Sequence, residues 1–454
     1  MTMALKLPRG SIGGVSCSST RNGTTAPPRV LLVAEAANPE WTSVPLVGWH
    51  HARALAELSN IHLVTQIRNR PAIVRAGLQE FCDFTAIDSD AVARPIWRIS
   101  SLISGKGKGW TTLTAFGALS YYYFEELLWR RFREDLAAGR FDLVHRLTPL
   151  SPTIPSTLAA RCARLGIPFV IGPLNGGVSW PKGSGRIRRA EREWLSYMRG
   201  AYKLLPGYRS TRRNASAIVV GSIDTWLQIP PVFHDRCVYV PENGIDESLF
   251  RRPSPPLPSS PLRAIFVGRL VPYKGADLLL LAAAPLLRSG DLVLEIVGDG
   301  PQMNELRSIV AREGLERAVE FTGWVEHSRI PERLCRAHIL TFPSIREFGG
   351  AVVLEAMALG VVPLVIRYGG PAELVTADTG FLVEIGNRQA LIRRVARQLE
   401  EIVSKPHEIQ RRSSRARERV LNKFTWRAKA RQLHAIYEWV LGRAPEKPDF
   451  GMPL

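Results

Sequence analysis

The stretch PSIREFGGAVVLEAMALGVVPLV, Pro343 to Val365, decides how this chain is read. A strand-like approach ends in a loop carrying Arg346, Glu347 and Phe348. Two glycines follow, and Ala351 to Leu359 is a run of strong helix formers that Gly360 ends. The pattern predicts a loop feeding a helix N-terminus. Gly349 and Gly350 let backbone approach a ligand, and the first amides of the helix lack internal acceptors, so the place suits an anion such as a diphosphate. Glu347 is expected on the loop at the helix mouth and Glu355 about one turn inside, where one ligand lying across the mouth meets both. For either glutamate alone, a solvated residue beside an ordinary helix is the open alternative.

Outward from that stretch the same grammar repeats. Upstream, AIFVGRLVPYKGADLLLLAAAPLL from Ala264 reads as strand, loop and helix, with Gly268, Arg269 and Lys274 on the loop. A diphosphate needs such cations because its charge builds as a bond to it breaks; an exposed basic turn is the plainer reading. LEIVGDGPQMNEL (Leu294–Leu306) and VEFTGWV (Val319–Val325) continue the alternation, and RYGGPAELV and TGFLV follow downstream. In the first half, RVLLVA (Arg29–Ala34) has the apolar, β-branched character of a buried parallel strand. Its loop delivers Gly48 just before a helical pattern over Trp49–Leu58, and IHLVTQ is the next strand. Asp88-Ser89-Asp90 reads as a surface loop with no clear apolar strand before it, and Leu113–Leu136 as a long core or interdomain helix. FDLVHRLTP is a strand ending in His145. IPFVIGPLNGG is a strand running into Asn175, Gly176 and Gly177, at the end where open α/β sheets bind ligands. Each half alternates strands and helices, which predicts two parallel sheets with a cleft between them.

Composition sets the frame. The 454 residues are too many for one ordinary core, and a hydrophobic fraction of 45% is normal for a soluble chain. Five scattered cysteines predict neither a disulfide framework nor a zinc site, which fits a reducing cytosol. Residues 1–28 read as a flexible tail, not a signal peptide, and no apolar run approaches the roughly 18 residues of a membrane span. A net charge of +19 favours polyanionic partners. It concentrates over residues 182–213, where arginines and lysines interleave with Trp194, Tyr197, Tyr202 and Tyr208. Three readings of that tract stay open: a solvated helix face, a surface for anionic membrane or a lipid-phosphate acceptor, and nucleic acid, for which no recognition module is present.

The E-x7-E spacing around EFGGAVVLEAMALG, the G-R-x4-K-G of Gly268–Gly275, the G-x-G-P of Gly298–Pro301 and the N-G-I-D of Asn243–Asp246 occur in one order. Together they resemble the retaining, nucleotide-sugar-dependent glycosyltransferases of family 4. The resemblance implies a GT-B fold: α/β, two facing Rossmann-like domains with a cleft between them and a C-terminal helix crossing back. It divides the chain into a tail (1–28), an acceptor-side domain (29–250), a proline-rich linker (251–262), a donor-binding domain (263–423), a crossover helix (424–443) and a second tail (444–454). It also implies that Glu347 contacts the donor sugar, that Glu355 holds the ribose, and that Arg269 and Lys274 take the diphosphate. Gly349, Gly350, Phe348 and Gly268 then belong to the donor site, and Gly369, Gly370 and Glu373 shape the base pocket. Gly48, standing alone where the family has paired glycines, approaches the diphosphate from the opposite domain. His145 is either a sugar contact or a histidine bonded into the core, since Leu147 replaces the second histidine of the family pattern. Asn175 and Gly176 line the acceptor side. The implied partners are a nucleotide diphosphate sugar and a glycan or lipid-linked acceptor, with no metal or other cofactor, at the cytoplasmic face of a membrane. A sugar-nucleotide epimerase, a phosphorylase and a basic nucleic-acid-binding protein are the rival readings.

Overall fold

A computed structural model describes residues 26–90, 110–181, 201–250 and 260–451. The apolar runs named above become strands. The first sheet holds β1 (Arg29–Ala34), β2 (Asn60–Gln66), β3 (Phe84–Ile87), β4 (Leu143–Thr148), β5 (Phe169–Leu174), β6 (Ala217–Val220) and β7 (Cys237–Tyr239), in the order β3-β2-β1-β4-β5-β6-β7. The second holds β8 (Leu262–Val267), β9 (Leu292–Val297), β10 (Val319–Gly323), β11 (Ile339–Phe342), β12 (Val362–Ile366) and β13 (Phe381–Val383), in the order β10-β9-β8-β11-β12-β13. The strand pairings are parallel. Every residue of β4, β5 and β12 is buried, as expected where helices cover both faces of a sheet.

In each sheet the strand order reverses beside the first strand, between β1 and β4 and between β8 and β11. Loops leave the carboxyl ends of adjacent strands in opposite directions there, and the crevice so formed is the ligand site of open α/β sheets. The helices that matter below are α1 (Val44–Leu55), α2 (Trp110–Ala137), α3 (Ala276–Ser289), α4 (Ala351–Ala358), α5 (Arg388–Ser404), α6 (His407–Lys423) and α7 (Trp426–Val440). Helix α7 leaves the second half and packs Leu433, Ile436 and Tyr437 into the core that holds Val30 and Leu32 of β1. Its start is tied to the first half by Trp426 N–H donating to the Ile245 carbonyl at 3.1 Å, while Ile245 N–H donates to Phe424 at 2.8 Å.

Two sequence expectations change here. Gly48 does not open a helix: α1 starts at Val44 with Pro45 in its first turn, where the missing N–H costs nothing. Gly48 is instead buried in the helix, and a Cβ there would lie 2.2 Å from the Ala36 carbonyl, so its role is to let α1 pass over the loop after β1. Asp88-Ser89-Asp90 does follow a strand, β3, and Asp90 accepts from the Gln66 side chain at 2.7 Å.

Candidate functional site

The loops after β8 and β11 are knitted together at the switch point of the second sheet. Ile345 N–H donates to the Tyr273 carbonyl at 2.9 Å, and the Ser344 hydroxyl donates to the same oxygen at 3.3 Å. This brings the two motifs into contact: the Lys274 ammonium pairs with the Glu347 carboxylate and sits 4.9 Å from the Phe342 ring centroid. Arg269, one residue after Gly268, is exposed and makes no ion pair with a described residue. Gly350 occupies the N-cap of α4, which has no side-chain cap, so its first amides lack an internal acceptor. Glu355 lies one turn in, 7% exposed, and accepts from His327 Nε2 at 2.9 Å. That hydrogen bond raises the His327 pKa, opposed by its partial burial. The loop carrying Glu347 and Phe348 is held from behind, since Gly370 N–H donates to the Glu347 carbonyl at 3.0 Å. A Cβ on Gly370 would stand 1.4 Å from the Phe348 carbonyl oxygen.

The first domain supplies the facing wall. Gly176 N–H donates to the Thr225 hydroxyl at 2.9 Å, and Asn175 Oδ1 accepts from Gly177 N–H at 3.0 Å. The Asn175 amide donates to Glu242 Oε1 at 2.9 Å. Glu242, in the loop after β7, is a site residue that the sequence did not disclose. Burial pushes its carboxyl up to about 8, the Asn175 hydrogen bond opposing and the Glu347 charge adding to the rise. Contacts then cross from one domain to the other. Arg346 Nε donates to the Val178 carbonyl at 3.3 Å and its guanidinium lies 4.4 Å from the Trp180 ring centroid. The Tyr368 hydroxyl donates to the Ser179 carbonyl at 2.8 Å. Glu373 is turned toward the first domain, where its carboxylate accepts from Ile223 N–H at 3.1 Å and from the Tyr239 hydroxyl, so it braces the domains.

The structure therefore brings Glu347, Lys274, Phe348, Gly349, Gly350 and Glu355 to the start of α4, with Asn175 and Gly176 opposite and Arg269 exposed on the loop that carries Lys274. It takes His145 out of the expected set and buries Gly48 inside α1. His145 is fully buried in the middle of β4, bonded to the Tyr437 hydroxyl at 2.6 Å and to the Gly172 carbonyl at 2.7 Å. With both ring nitrogens used, and burial holding its pKa down to about 4, it is a neutral core histidine, not a sugar contact. Gly48 packs within α1 against the Ala36 carbonyl of the loop after β1, as described above. Among the described residues no group of three or more His, Cys, Asp or Glu side chains is placed to hold a metal ion.

Two facing parallel sheets, a loop-lined cleft at their carboxyl ends and a last helix crossing back define a GT-B fold. Residues 249–418 match the family model of glycosyl transferases group 1. Among solved structures, a glycosyltransferase from Rickettsia africae superposes with a TM-score of 0.59 at 16% identity, over 92% of this chain and 100% of that one. Anabaena Alr3699/HepE in complex with UDP superposes with a TM-score of 0.56 at 15% identity, over 90% and 100% of the two chains. A Salmonella typhimurium protein named as a colanic acid biosynthesis glycosyltransferase, WcaL, is 30% identical over 212 residues, 45% of this chain and 51% of that one. The chain thus spans between about a quarter and a half of the length of the curated relatives it matches.

Proposed function

We propose that this protein is a retaining glycosyltransferase of family 4 that moves a sugar from a nucleotide diphosphate sugar to a glycan or lipid-linked acceptor in cell-surface polysaccharide assembly. The observation that carries the reading is the meeting of Lys274 and Glu347 in front of the uncapped start of α4, with Arg269 exposed on the loop that carries Lys274. Two cations and a helix N-terminus are what a departing diphosphate requires, because its charge grows as the glycosidic bond breaks. Glu355 then binds ribose hydroxyls and Glu347 the transferred sugar. Of the buried carboxyls on the first-domain wall, Glu242 is bonded to Asn175 and pushed toward the neutral acid, a poor nucleophile. The reading is therefore same-face attack, in which a departing phosphate oxygen takes the acceptor proton. No step is assigned to a metal or other cofactor.

The acceptor class is supported by the WcaL likeness. Placement at the cytoplasmic face of a membrane is supported by the described end of the basic tract. Leu204 is 88% exposed there, with Lys203, Arg209 and Arg213 exposed around it. Residues 182–200 of that tract lie outside the described residues. Among the described residues no helix is long and apolar enough to cross a membrane. Nucleic acid is not a partner in this reading.

Thermal unfolding against UDP, GDP, ADP and their sugar conjugates tests the donor site, since a ligand at 100 times its Kd stabilises by about 2.7 kcal/mol. Stabilisation by one nucleotide family, lost in Glu355→Ala, is the expected result. Transfer rates unchanged in both Glu347→Ala and Arg269→Ala would overturn the assignment.

A further inference from the structure

Glu242 belongs to the first domain, but its carboxyl is wedged against the second. Its Oε1 lies 3.4 Å from where a Cβ on Gly349 would stand. Its Oε2 lies 3.4 Å from the corresponding position on Gly221, which is equally close to the Phe348 ring. Oε1 has the Asn175 amide, whereas Oε2 is buried with no hydrogen-bond partner among the described residues. An ionised carboxylate in that place would leave charge on an oxygen that nothing stabilises, several kcal/mol of cost at the level of general desolvation. The neutral acid has no such charge.

We propose that Glu242 is a positioning residue of the transfer reaction: held as the neutral acid, it seats the Phe348–Gly349 loop of the second domain on the first, and so fixes Glu347 toward the donor sugar. This rests on the reading of Glu347 given above. The groups that face Glu242 agree with it. From α1, His51 donates from Nε2 to the Glu242 backbone carbonyl at 2.9 Å and is itself neutral, its pKa held down to about 3 by burial. From β7, burial and the neighbouring carboxylates hold the Tyr239 phenol in its protonated form. From the loop after β5, Asn175 is uncharged. From the second domain, the charge acting on Glu242 is that of Glu347, which opposes its ionisation even though Lys274 pairs with Glu347. When pH rises through about 8, Glu242 gains a charge beside Glu347, and the seam is expected to part.

The test pairs wild type with Glu242→Gln, which keeps an acceptor for Asn175 and has no proton to lose. Release of nucleoside diphosphate is followed from about pH 6 to about pH 10, with whichever of UDP-, GDP- or ADP-glucose stabilises the wild-type chain. Wild type is expected to lose rate by about tenfold per pH unit once Glu242 is ionised. Glu242→Gln, whatever its absolute rate, is expected to hold that rate flat over the same range. Unfolding stability gives a second reading that needs no substrate. A raised carboxyl pKa means that the folded chain holds the extra proton between about pH 4.5 and about pH 8. Wild type therefore loses stability relative to Glu242→Gln across that window and not above it. Stabilisation by a sugar nucleotide together with the same alkaline decline in both proteins would overturn the proposal alone, as would parallel stability profiles. Failure of all three sugar nucleotides to stabilise wild type would overturn the site reading and the proposal with it.

Discussion

Glu347 and Glu355 share one motif but sit in opposite electrostatic settings. Glu347 is paired with Lys274, which the proposed function assigns to the diphosphate, so in that reading removing Lys274 costs affinity for nucleoside diphosphate and leaves a partly buried carboxylate unpaired. Glu355 is buried and paired with His327, whose own side chain is 68% exposed. Because the folded His327 pKa is raised above its ordinary value of 6.5, the pair stabilises fully below about pH 6.5 and its contribution is lost as pH rises through the folded pKa. His327→Ala is therefore expected to destabilise by no more than about 1 kcal/mol in acid, for an exposed partner, and by less at alkaline pH, where the neutral ring keeps its hydrogen bond but not its charge. Thermal unfolding of the two proteins at pH 5.5 and at pH 9 checks this; an equal loss at both would contradict it. Gly370→Ala acts on the other side of the same loop. Its methyl would overlap the Phe348 carbonyl, a backbone atom that no rotamer change can move away. A loss of about 3 kcal/mol, with loss of nucleotide stabilisation, is expected in denaturant unfolding with and without UDP. The motif residues at this scale were legible because loop, glycines and helix formers are local. Glu242, Glu373 and His327 were not, because each owes its role to partners far away in sequence, as Tyr239 is from Glu373.

At the scale of elements, apolar runs such as RVLLVA and AIFV read directly as buried parallel strands, because such strands carry no polar face. Helix limits were less legible. Gly48 reads from the sequence as the residue just before a helix, but close approach to Ala36 demands that glycine inside α1. His145 was undecided for a similar reason: its partner Tyr437 lies on α7, 292 residues away. Helix α7 also carries Lys429, fully buried, with no hydrogen-bond partner for its amine among the described residues and the Phe424 ring centroid 4.6 Å away. Burial, with the nearby Arg419 and Lys423 charges, lowers its pKa well below the ordinary lysine value. The unfolded chain then binds a proton that the folded chain lacks, so this residue destabilises at neutral pH and less so as pH climbs toward the unfolded pKa. Lys429→Met is expected to raise stability by about 2 kcal/mol at pH 7, because an apolar chain of similar length fills the place without that penalty. The gain should shrink at pH 10. Urea unfolding at the two pH values decides, and a loss of stability would show that α7 needs the amine.

The whole molecule is two domains held across a seam, and the seam sets what donor binding costs. A ligand that spans the cleft binds the closed arrangement, so its apparent Kd is the intrinsic value divided by the closed fraction. The contact between Arg346 of the second domain and Val178 and Trp180 of the first is one that such closure makes. A partly desolvated cation–π contact with one hydrogen bond contributes about 1 to 2 kcal/mol. If that energy is present only when the domains meet, Arg346→Ala should weaken binding of nucleoside diphosphate by roughly 5- to 30-fold. Arg346 neighbours Glu347, however, so a loss in that variant alone has two explanations. Trp180→Ala approaches the same contact from the first domain, where the indole also packs edge-on against Tyr273, the neighbour of Lys274, at 6.5 Å between ring centroids. It should weaken nucleotide binding by a similar factor, and the double variant should lose scarcely more than either single one, since both remove the same contact. Calorimetric titration measures the three losses. Small-angle scattering should show each variant more extended than wild type without nucleotide and equally compact at saturation. Additive losses, or scattering curves that nucleotide does not bring together, would mean that the seam does not report on closure and that Arg346 acts on the ligand itself.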